Sequence, residues 1–348
     1  MLLCLSSGGS RRYRDDVLRA AGLPAGTVLR FRYDQKYLSP GLSQQVDDTS
    51  IQGRCALIAY SDNSSRELQP VFIPCRYAKI TKARRIGTTV SFDLKVAEFA
   101  LAPDLDAFAT EIKQLSAGQA PKRDVDGTLG GLFCIALHAN PKAITKSVKD
   151  EFWQSFISQI TDRADFRSYD AFVLLRGVFD SKGHILPPGD GGVYKLYGGR
   201  QYDLSLYQFH PSRTPNGDSI TASAASDRIQ FTSTPTLVLD SRYDHKDIHF
   251  TALPGSERDR SFFQIKIVKK DNPLTAVEFE LNYVMPVPFW RTVGLITGTA
   301  AFLAIPTVTS ALTDSHLHGR KFEFLVAVTL LSSLAAATIA AFGIRRIL

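Results

Sequence analysis

Two long apolar runs near the C-terminus constrain the fold of this chain more than any other feature. Neither 292–313 nor 324–344 contains an ionisable side chain, and a short polar stretch, 314–323, separates them. A helix that crosses the hydrocarbon core of a bilayer needs about 20 apolar residues. The two runs therefore predict a pair of transmembrane helices joined by a tight turn, and the chain before about Pro288 forms a body outside the bilayer.

The basic residues beside the two runs predict the topology. Arg291 precedes the first run, and Arg345 and Arg346 follow the second, whereas Arg320 and Lys321 lie in the loop between them. Lysines further upstream add to the basic excess at the outer ends. Cytoplasmic flanks carry such an excess, so we expect a two-pass membrane protein with its body and its C-terminus in the cytoplasm.

The N-terminus and the cysteines agree with a cytoplasmic body. The apolar start at 1–5 is shorter than the ~7–15 residues of a secretory h-region. The cysteines have neither a pairing pattern nor metal-ligand spacing, which is typical of a reducing compartment. There are four of them, namely Cys4, Cys55, Cys75 and Cys134.

Short strand patterns between turn residues predict a mainly β body. Apolar and polar residues alternate over 27–33 and 88–96, as they do in a half-buried strand. Gly198 and Gly199 separate two further strand-like runs and predict a hairpin. At 105–115 the apolar residues instead recur at helical spacing, and 143–160 has a similar helical pattern.

These patterns predict four segments. The density of strands favours a small β-barrel or sandwich first and a second β-sandwich, of immunoglobulin-like type, later in the chain. We expect a β-rich domain at 1–100, a mixed helical join at 101–165, the β-sandwich-like domain at 166–286 and the transmembrane hairpin at 287–348.

One basic stretch is a candidate site for an anionic ligand. Its five side chains are Arg76, Lys79, Lys82, Arg84 and Arg85, and the first acidic residue after them is Asp93. Guanidinium and ammonium groups bind the phosphates of nucleotides, nucleic acids or lipid head groups. The alternative is a solvated strand and turn, because a β-strand would divide these residues between its two faces.

The predicted membrane helices are rich in small residues, which let helix backbones approach closely in lipid. Gly294 and Gly298 form a G-x-x-x-G motif in the first run. We expect a helix-packing face made of Gly294, Gly298, Ala301, Ser332, Ala336 and Ala340. This face supports a homo-oligomer, although packing of the two helices within one chain would also use it.

The sequence contains no signature that predicts catalysis, a cofactor or a metal. Nucleotide-binding, hydrolase, kinase and deaminase motifs are all absent. His245 and His249 have a spacing that suits zinc on a helix, but they lie in a strand-like run, where such residues are roughly 13 Å apart. We therefore expect a protein that is not an enzyme and that needs neither cofactor nor metal.

Together these features favour a membrane-anchored sensor and effector. Its β domains would recognise a ligand or partner, and its oligomerising hairpin would open a pore or disrupt the membrane. The arrangement is similar in architecture alone to that of membrane-acting effectors of bacterial antiviral defence. Two alternatives remain open, a tethered adaptor that recruits a protein partner and a membrane-tethered hydrolase.

Overall fold

The computed structural model describes residues 1–62, 71–118, 131–167, 169, 171–210, 219–238, 241–254, 257–268 and 277–286. Over these residues the fold is mainly β and sandwich-like. The chain divides into two compact units, Met1–Pro254 with Asp259–Val284, and Gly255–Arg258 with Met285–Leu348. The predicted hairpin at 287–348 lies outside the described residues.

The described strands and helices are numbered here in chain order. The strands of the first half are β1 Leu2–Ser7, β2 Val28–Asp34, β3 Cys55–Asp62, β4 Val71–Ile86, β5 Thr89–Leu101, β6 Cys134–Ala136 and β7 Thr145–Ser147. Those of the second half are β8 Phe172–Asp180, β9 Tyr194–Lys195, β10 Arg200–Phe209, β11 Ser219–Ala224, β12 Ile229–Phe231, β13 Thr236–Val238, β14 Tyr243–Ala252, β15 Glu257–Val268 and β16 Val277–Met285. The α-helices are α1 Arg11–Gly22, α2 Leu42–Asp47, α3 Leu105–Leu115 and α4 Asp150–Thr161.

The first half of the chain is built on one seven-stranded sheet, with the order β2-β5-β4-β3-β1-β6 and with β7 paired to β5. Strands β1 and β3 run parallel, from Leu2 opposite Ala56 to Ser7 opposite Ser61. The sequence predicts a small barrel or sandwich here. The mainly β character is confirmed. The parallel pairing of β1 with β3 requires a crossover connection, which contains α1 and which strand density alone does not reveal.

Strand β1 was missed because all six of its residues are buried. A strand buried on both faces has no alternation of apolar and polar residues, so the pattern that identifies a half-buried strand is absent here. On one face, Leu3 and Leu5 pack in a core cluster with Phe108 and Ile112 of α3. The predicted helix at 105–115 is confirmed.

Helix α1 packs against the second half of the chain at a glycine. A Cβ on Gly22 would lie 2.5 Å from a ring carbon of Phe279 and 2.5 Å from the carbonyl oxygen of Val173. Such contacts are closer than real Cβ atoms make, so only glycine allows the helix this close to β8 and β16. The first sheet, α1 and the strands that α1 contacts are thus parts of one compact unit.

The second half contains a four-stranded sheet, β12-β14-β10-β8, and a five-stranded sheet, β13-β11-β15-β16-β9. Rings from the two sheets meet, since the centroids of Phe250 on β14 and Phe263 on β15 are 4.8 Å apart. Burial of one face of each sheet against the other is the arrangement of a β-sandwich.

Two local predictions need correction. Gly198 and Gly199 do not join a hairpin, because β9 pairs with β16 while β10 pairs with β14 and β8. The two flanking strands have similar patterns but belong to different sheets. The helix predicted at 143–160 begins only at Asp150, because Thr145–Ser147 pairs with β5 as β7.

Candidate ligand-binding site

Arg76 of β4 is a buried cation in the middle of the compact unit. Its side chain is 2% exposed, although it belongs to the basic stretch that the sequence singles out. One guanidinium nitrogen, Nη2, donates a hydrogen bond of 2.9 Å to the carbonyl oxygen of Leu23. The guanidinium carbon lies 3.8 Å from the centroid of the Phe99 ring, so the ring face contributes a cation–π contact.

The charge of Arg76 is incompletely matched by its surroundings. Its Nε is buried and has no hydrogen-bond partner among the described residues. The nearby Glu98 forms its own ion pair with Lys146, at 3.6 Å. Burial lowers the pKa of the Arg76 guanidinium to about 10. The guanidinium is therefore still protonated at neutral pH. Because the charge is buried, the site costs free energy as long as no anion is bound beside it.

A cavity of about 340 Å³ adjoins this arginine. One wall comes from the first sheet, where Arg76 and Phe99 lie. The other comes from the second half of the chain and includes Leu174 of β8 and Tyr194 of β9. The cavity is thus mostly apolar with one buried charge, which is the usual composition of a small-molecule site.

The mouth of the cavity has a second arginine that is already paired. Arg176 Nε lies 3.5 Å from a carboxylate oxygen of Asp150 at the start of α4. Apolar side chains also line this cavity while exposed to solvent, with Val148 exposed by 69% and Ile185 by 55%. A ligand that entered would cover this apolar surface and would meet Arg76, whose charge lacks a carboxylate partner among the described residues.

The other four side chains of the basic stretch lie in different environments from Arg76. Lys79 and Lys82 are exposed. A guanidinium nitrogen of Arg84 lies 3.9 Å from a carboxylate oxygen of Asp93. Arg85 forms a similar pair with Asp47, at 2.6 Å. Two of the four cations are therefore paired, and none of the four lines the cavity beside Arg76.

Register shifts in β4 explain this separation. The pairing of β4 with β5 is irregular between Arg76 and Ala78 and again between Ile80 and Lys82. Each irregularity changes which face of the strand a side chain occupies. The sequence alternation of the stretch therefore does not predict which residue turns inward.

One wall of the cavity is connected by hydrogen bonds to the last described strand. Tyr194 lines the cavity and lies directly opposite Tyr283 in the parallel pair of β9 and β16. Just beyond it, the backbone N–H of Leu196 donates a hydrogen bond of 3.0 Å to the carbonyl oxygen of Val284. In the sequence, β16 is followed directly by the segment predicted to enter the membrane.

The two histidines of the strand-like run belong to separate pairs on the outer face of β10 and β14. His245 Nε2 lies 2.7 Å from the Ser205 hydroxyl, and His249 Nδ1 lies 2.6 Å from a carboxylate oxygen of Asp203. Nowhere in the described part of the chain do three or more His, Cys, Asp or Glu side chains group as they would around a metal ion.

The predicted helix-packing face of the hairpin falls outside the described residues. It comprises Gly294, Gly298, Ala301, Ser332, Ala336 and Ala340. Among the helices that the structure does describe, none has the length and apolarity needed to span a bilayer.

The sequence contains Arg76 in the predicted basic stretch but does not predict the residues that surround it. Leu23, Phe99, Asp150, Arg176 and Tyr194 are distant from Arg76 in the sequence and belong to no motif. The available signal was the position of Arg76 itself, directly after an uncharged run from Val71 to Cys75. A charged residue is rarely buried without a partner. The position of Arg76 beside an uncharged run therefore distinguishes it from the other four basic residues.

No family model matches the chain, and no curated protein matches it. Among solved structures, a FixG-related protein from Vibrio parahaemolyticus is similar over 34% of this chain and 98% of its own, with 10% identity and a TM-score of 0.23. A family 123 glycoside hydrolase from Clostridium perfringens is similar over 34% of this chain and 28% of its own, with 7% identity and a TM-score of 0.25. Likenesses this weak carry no argument about the function of this chain.

Proposed function

We propose that this protein is a membrane-anchored sensor whose body binds a small organic anion and whose C-terminal hairpin acts on the membrane. The observation that carries the proposal is the buried, incompletely paired Arg76 beside a cavity of about 340 Å³. A protein gains little stability from such a charge, because its desolvation is costly. A bound anion would supply the missing partner.

The cavity favours a ligand with one negative charge and an apolar body. Among the described residues that line the cavity, Arg76 is the cation without a carboxylate partner, since Arg176 is paired with Asp150. A nucleoside triphosphate or a nucleic acid would need several cations. A carboxylate attached to a ring or a short chain would place its charge at Arg76 and its apolar part against Phe99 and Leu174.

The path from ligand to membrane follows from the pairing of strands. A ligand in the cavity contacts Tyr194, and Tyr194 lies opposite Tyr283 near the end of β16. A small change in β9 would be transmitted to β16 through their shared hydrogen bonds. Because only a short, proline-containing stretch separates β16 from the first apolar run, the hairpin would respond to that change.

The proposal includes the topology and assembly predicted from the sequence. The hairpin spans the bilayer at about 292–313 and 324–344, with the body and the C-terminus in the cytoplasm. The small residues of the two helices hold copies of the chain together. The sandwich of the body is of the immunoglobulin-like type. The effect of the hairpin on the membrane is a pore or a disrupted bilayer, similar to that of membrane-acting effectors in antiviral defence.

A dye-release experiment tests the proposed function. The full-length chain is reconstituted into dye-loaded liposomes of phosphatidylcholine and phosphatidylglycerol, and 3-phenylpropionate is added as the probe. We expect the probe to increase dye release, and we expect the uncharged 3-phenylpropionamide, of nearly the same shape, to have little effect. Liposomes without protein control for direct action of the probe on the bilayer.

Variants on β4 connect this response to the site. Arg76→Met keeps an apolar stem and removes the charge, so the response should be lost. Arg85→Met removes an exposed charge from the same strand and should leave the response intact. If the probe binds to the wild type without causing any release, the hairpin is a passive tether and the adaptor becomes the better account.

A further inference from the structure

A second cavity, of about 150 Å³, lies on the first sheet, where β1 ends and α1 begins. It is separate from the cavity beside Arg76, and the two share no lining residue. Its walls contain an unusual number of aromatic side chains. These are Tyr13, Phe31, Tyr33, Tyr37 and Phe133.

Hydrogen bonds and ring contacts hold part of these aromatic walls, and the backbone beside them, in place. The hydroxyl of Tyr33 donates a hydrogen bond of 3.1 Å to the carbonyl oxygen of Leu5, and the Ser6 hydroxyl donates one of 2.7 Å to the carbonyl oxygen of Tyr13. The rings of Tyr37 and Phe133 meet edge to face, with centroids 5.4 Å apart. The pocket is therefore preformed. A cavity of this volume accepts about one small ring system.

Charged side chains of both signs line the same cavity. Asp16 of α1 is largely buried, with a side chain only 18% exposed. Its described hydrogen bond uses Oδ1, which accepts from Arg19 Nη1 at 3.4 Å. Arg32 and Asp34 of β2 also line the cavity. The site thus offers both hydrogen-bond acceptors and a donor beside its aromatic walls.

This mixture of charges disfavours ligands with a strong net charge. A cationic ligand is disfavoured because the Lys36 ammonium already lies 4.9 Å from the centroid of the Tyr37 ring and because Arg32 is a second cation. An anionic ligand is disfavoured by Asp16 and Asp34. A neutral planar ring that carries both donors and acceptors avoids both of these penalties.

We propose that this second cavity binds a guanine-type base. Such a base has two adjacent N–H donors, which a carboxylate such as Asp16 accepts as a pair. Its flat face stacks on the aromatic walls. The raised pKa of Asp16, about 6 because of burial, agrees with a carboxylate that a ligand would stabilise by hydrogen bonds.

The sugar and phosphates of a nucleotide contribute nothing in this proposal. The carboxylate of Asp165 lies against Gly8, close to where α1 begins, and accepts a hydrogen bond from the Tyr60 hydroxyl. A carboxylate thus already lies close to the start of α1, which disfavours a phosphate there. Recognition is therefore confined to the base.

Calorimetric titration of the full-length chain with guanosine tests the assignment. We expect guanosine to bind and adenosine to bind more weakly, on the order of tenfold or more, because adenosine lacks the pair of adjacent donors. Asp16→Asn should weaken guanosine binding by a similar factor. The matched control is Asp15→Asn, whose carboxylate accepts from Tyr169 and lies outside the cavity, and it should bind as the wild type does.

Three results would overturn the assignment. They are no binding of guanosine at millimolar concentration, equal binding of adenosine, and preferential binding of choline as a cationic probe. Tyr13→Ala supplies a second test at the rim, where this ring is 40% exposed, and should also weaken guanosine binding. Arg76→Met should not affect it, so failure here is distinct from failure of the proposed function.

Discussion

Replacement of Asp16 by asparagine should stabilise the protein at neutral pH. Burial is the largest cause that raises the pKa of Asp16, from 3.8 to about 6, and the Arg19 guanidinium offsets only part of it. Asparagine has nearly the same shape and carries no charge to desolvate. The variant therefore removes the cost of the buried charge while it keeps the local packing.

The magnitude follows from the pKa difference between the folded and the unfolded chain. A difference of about two pKa units corresponds to about 3 kcal/mol. Because the side chain is 18% exposed, this is an upper value. Well below pH 3.8 the carboxyl is protonated in both states and its burial has no charge to desolvate. Between about pH 4 and pH 6 the folded chain holds more protons than the unfolded one, so its stability falls as pH rises.

Equilibrium unfolding in urea, measured from pH 4 to pH 7.5 on the wild type and on Asp16→Asn, tests this reasoning. The two free energies of unfolding should be similar near pH 4 and should diverge as pH rises, with the variant more stable at pH 7. A constant difference across the range, or a variant that is less stable at pH 7, would refute the assigned cause of the pKa shift.

Three further predictions concern other parts of the chain. Gly22→Ala should destabilise the body by about 1–3 kcal/mol, seen in urea unfolding, because its methyl group would meet an aromatic ring of β16 and a backbone carbonyl of β8. Arg84→Glu combined with Arg85→Glu should leave the binding of 3-phenylpropionate unchanged in calorimetry, because neither side chain lines the cavity beside Arg76. Gly294→Leu combined with Gly298→Leu should insert normally but lose the oligomer in detergent and the dye release together, since the added side chains would hold neighbouring helices apart.

The sequence predicts individual elements of this fold well where periodicity is strong. Alternation identified β2 and β5, and helical spacing identified α3 with its observed bounds. It failed at Leu2–Ser7, whose residues are all buried, and at Gly198 and Gly199, where the chain passes between sheets. Periodicity reports which face of an element is buried, but it does not report which element lies beside it.

The candidate site shows the same limit. The sequence drew attention to Arg76 as one of five basic residues, without the burial that separates it from the other four. Its partner Leu23 and the ring of Phe99 come from distant positions, and irregular pairing in β4 decides which side chain points inward. No local pattern encodes such contacts, because they depend on tertiary packing.

Calorimetric titration of 3-phenylpropionate into the full-length wild type, Arg76→Met and Arg85→Met tests the central claim most directly. A charge-assisted hydrogen bond contributes about 1.5–3 kcal/mol, which is a factor of roughly 10 to 150 in affinity. The account predicts that Arg76→Met binds the acid at least about tenfold more weakly than the wild type and that Arg85→Met binds it as the wild type does. It also predicts that 3-phenylpropionamide binds weakly to all three proteins. Equal binding of the acid by folded Arg76→Met and by the wild type would contradict the claim that this buried arginine recognises an anion.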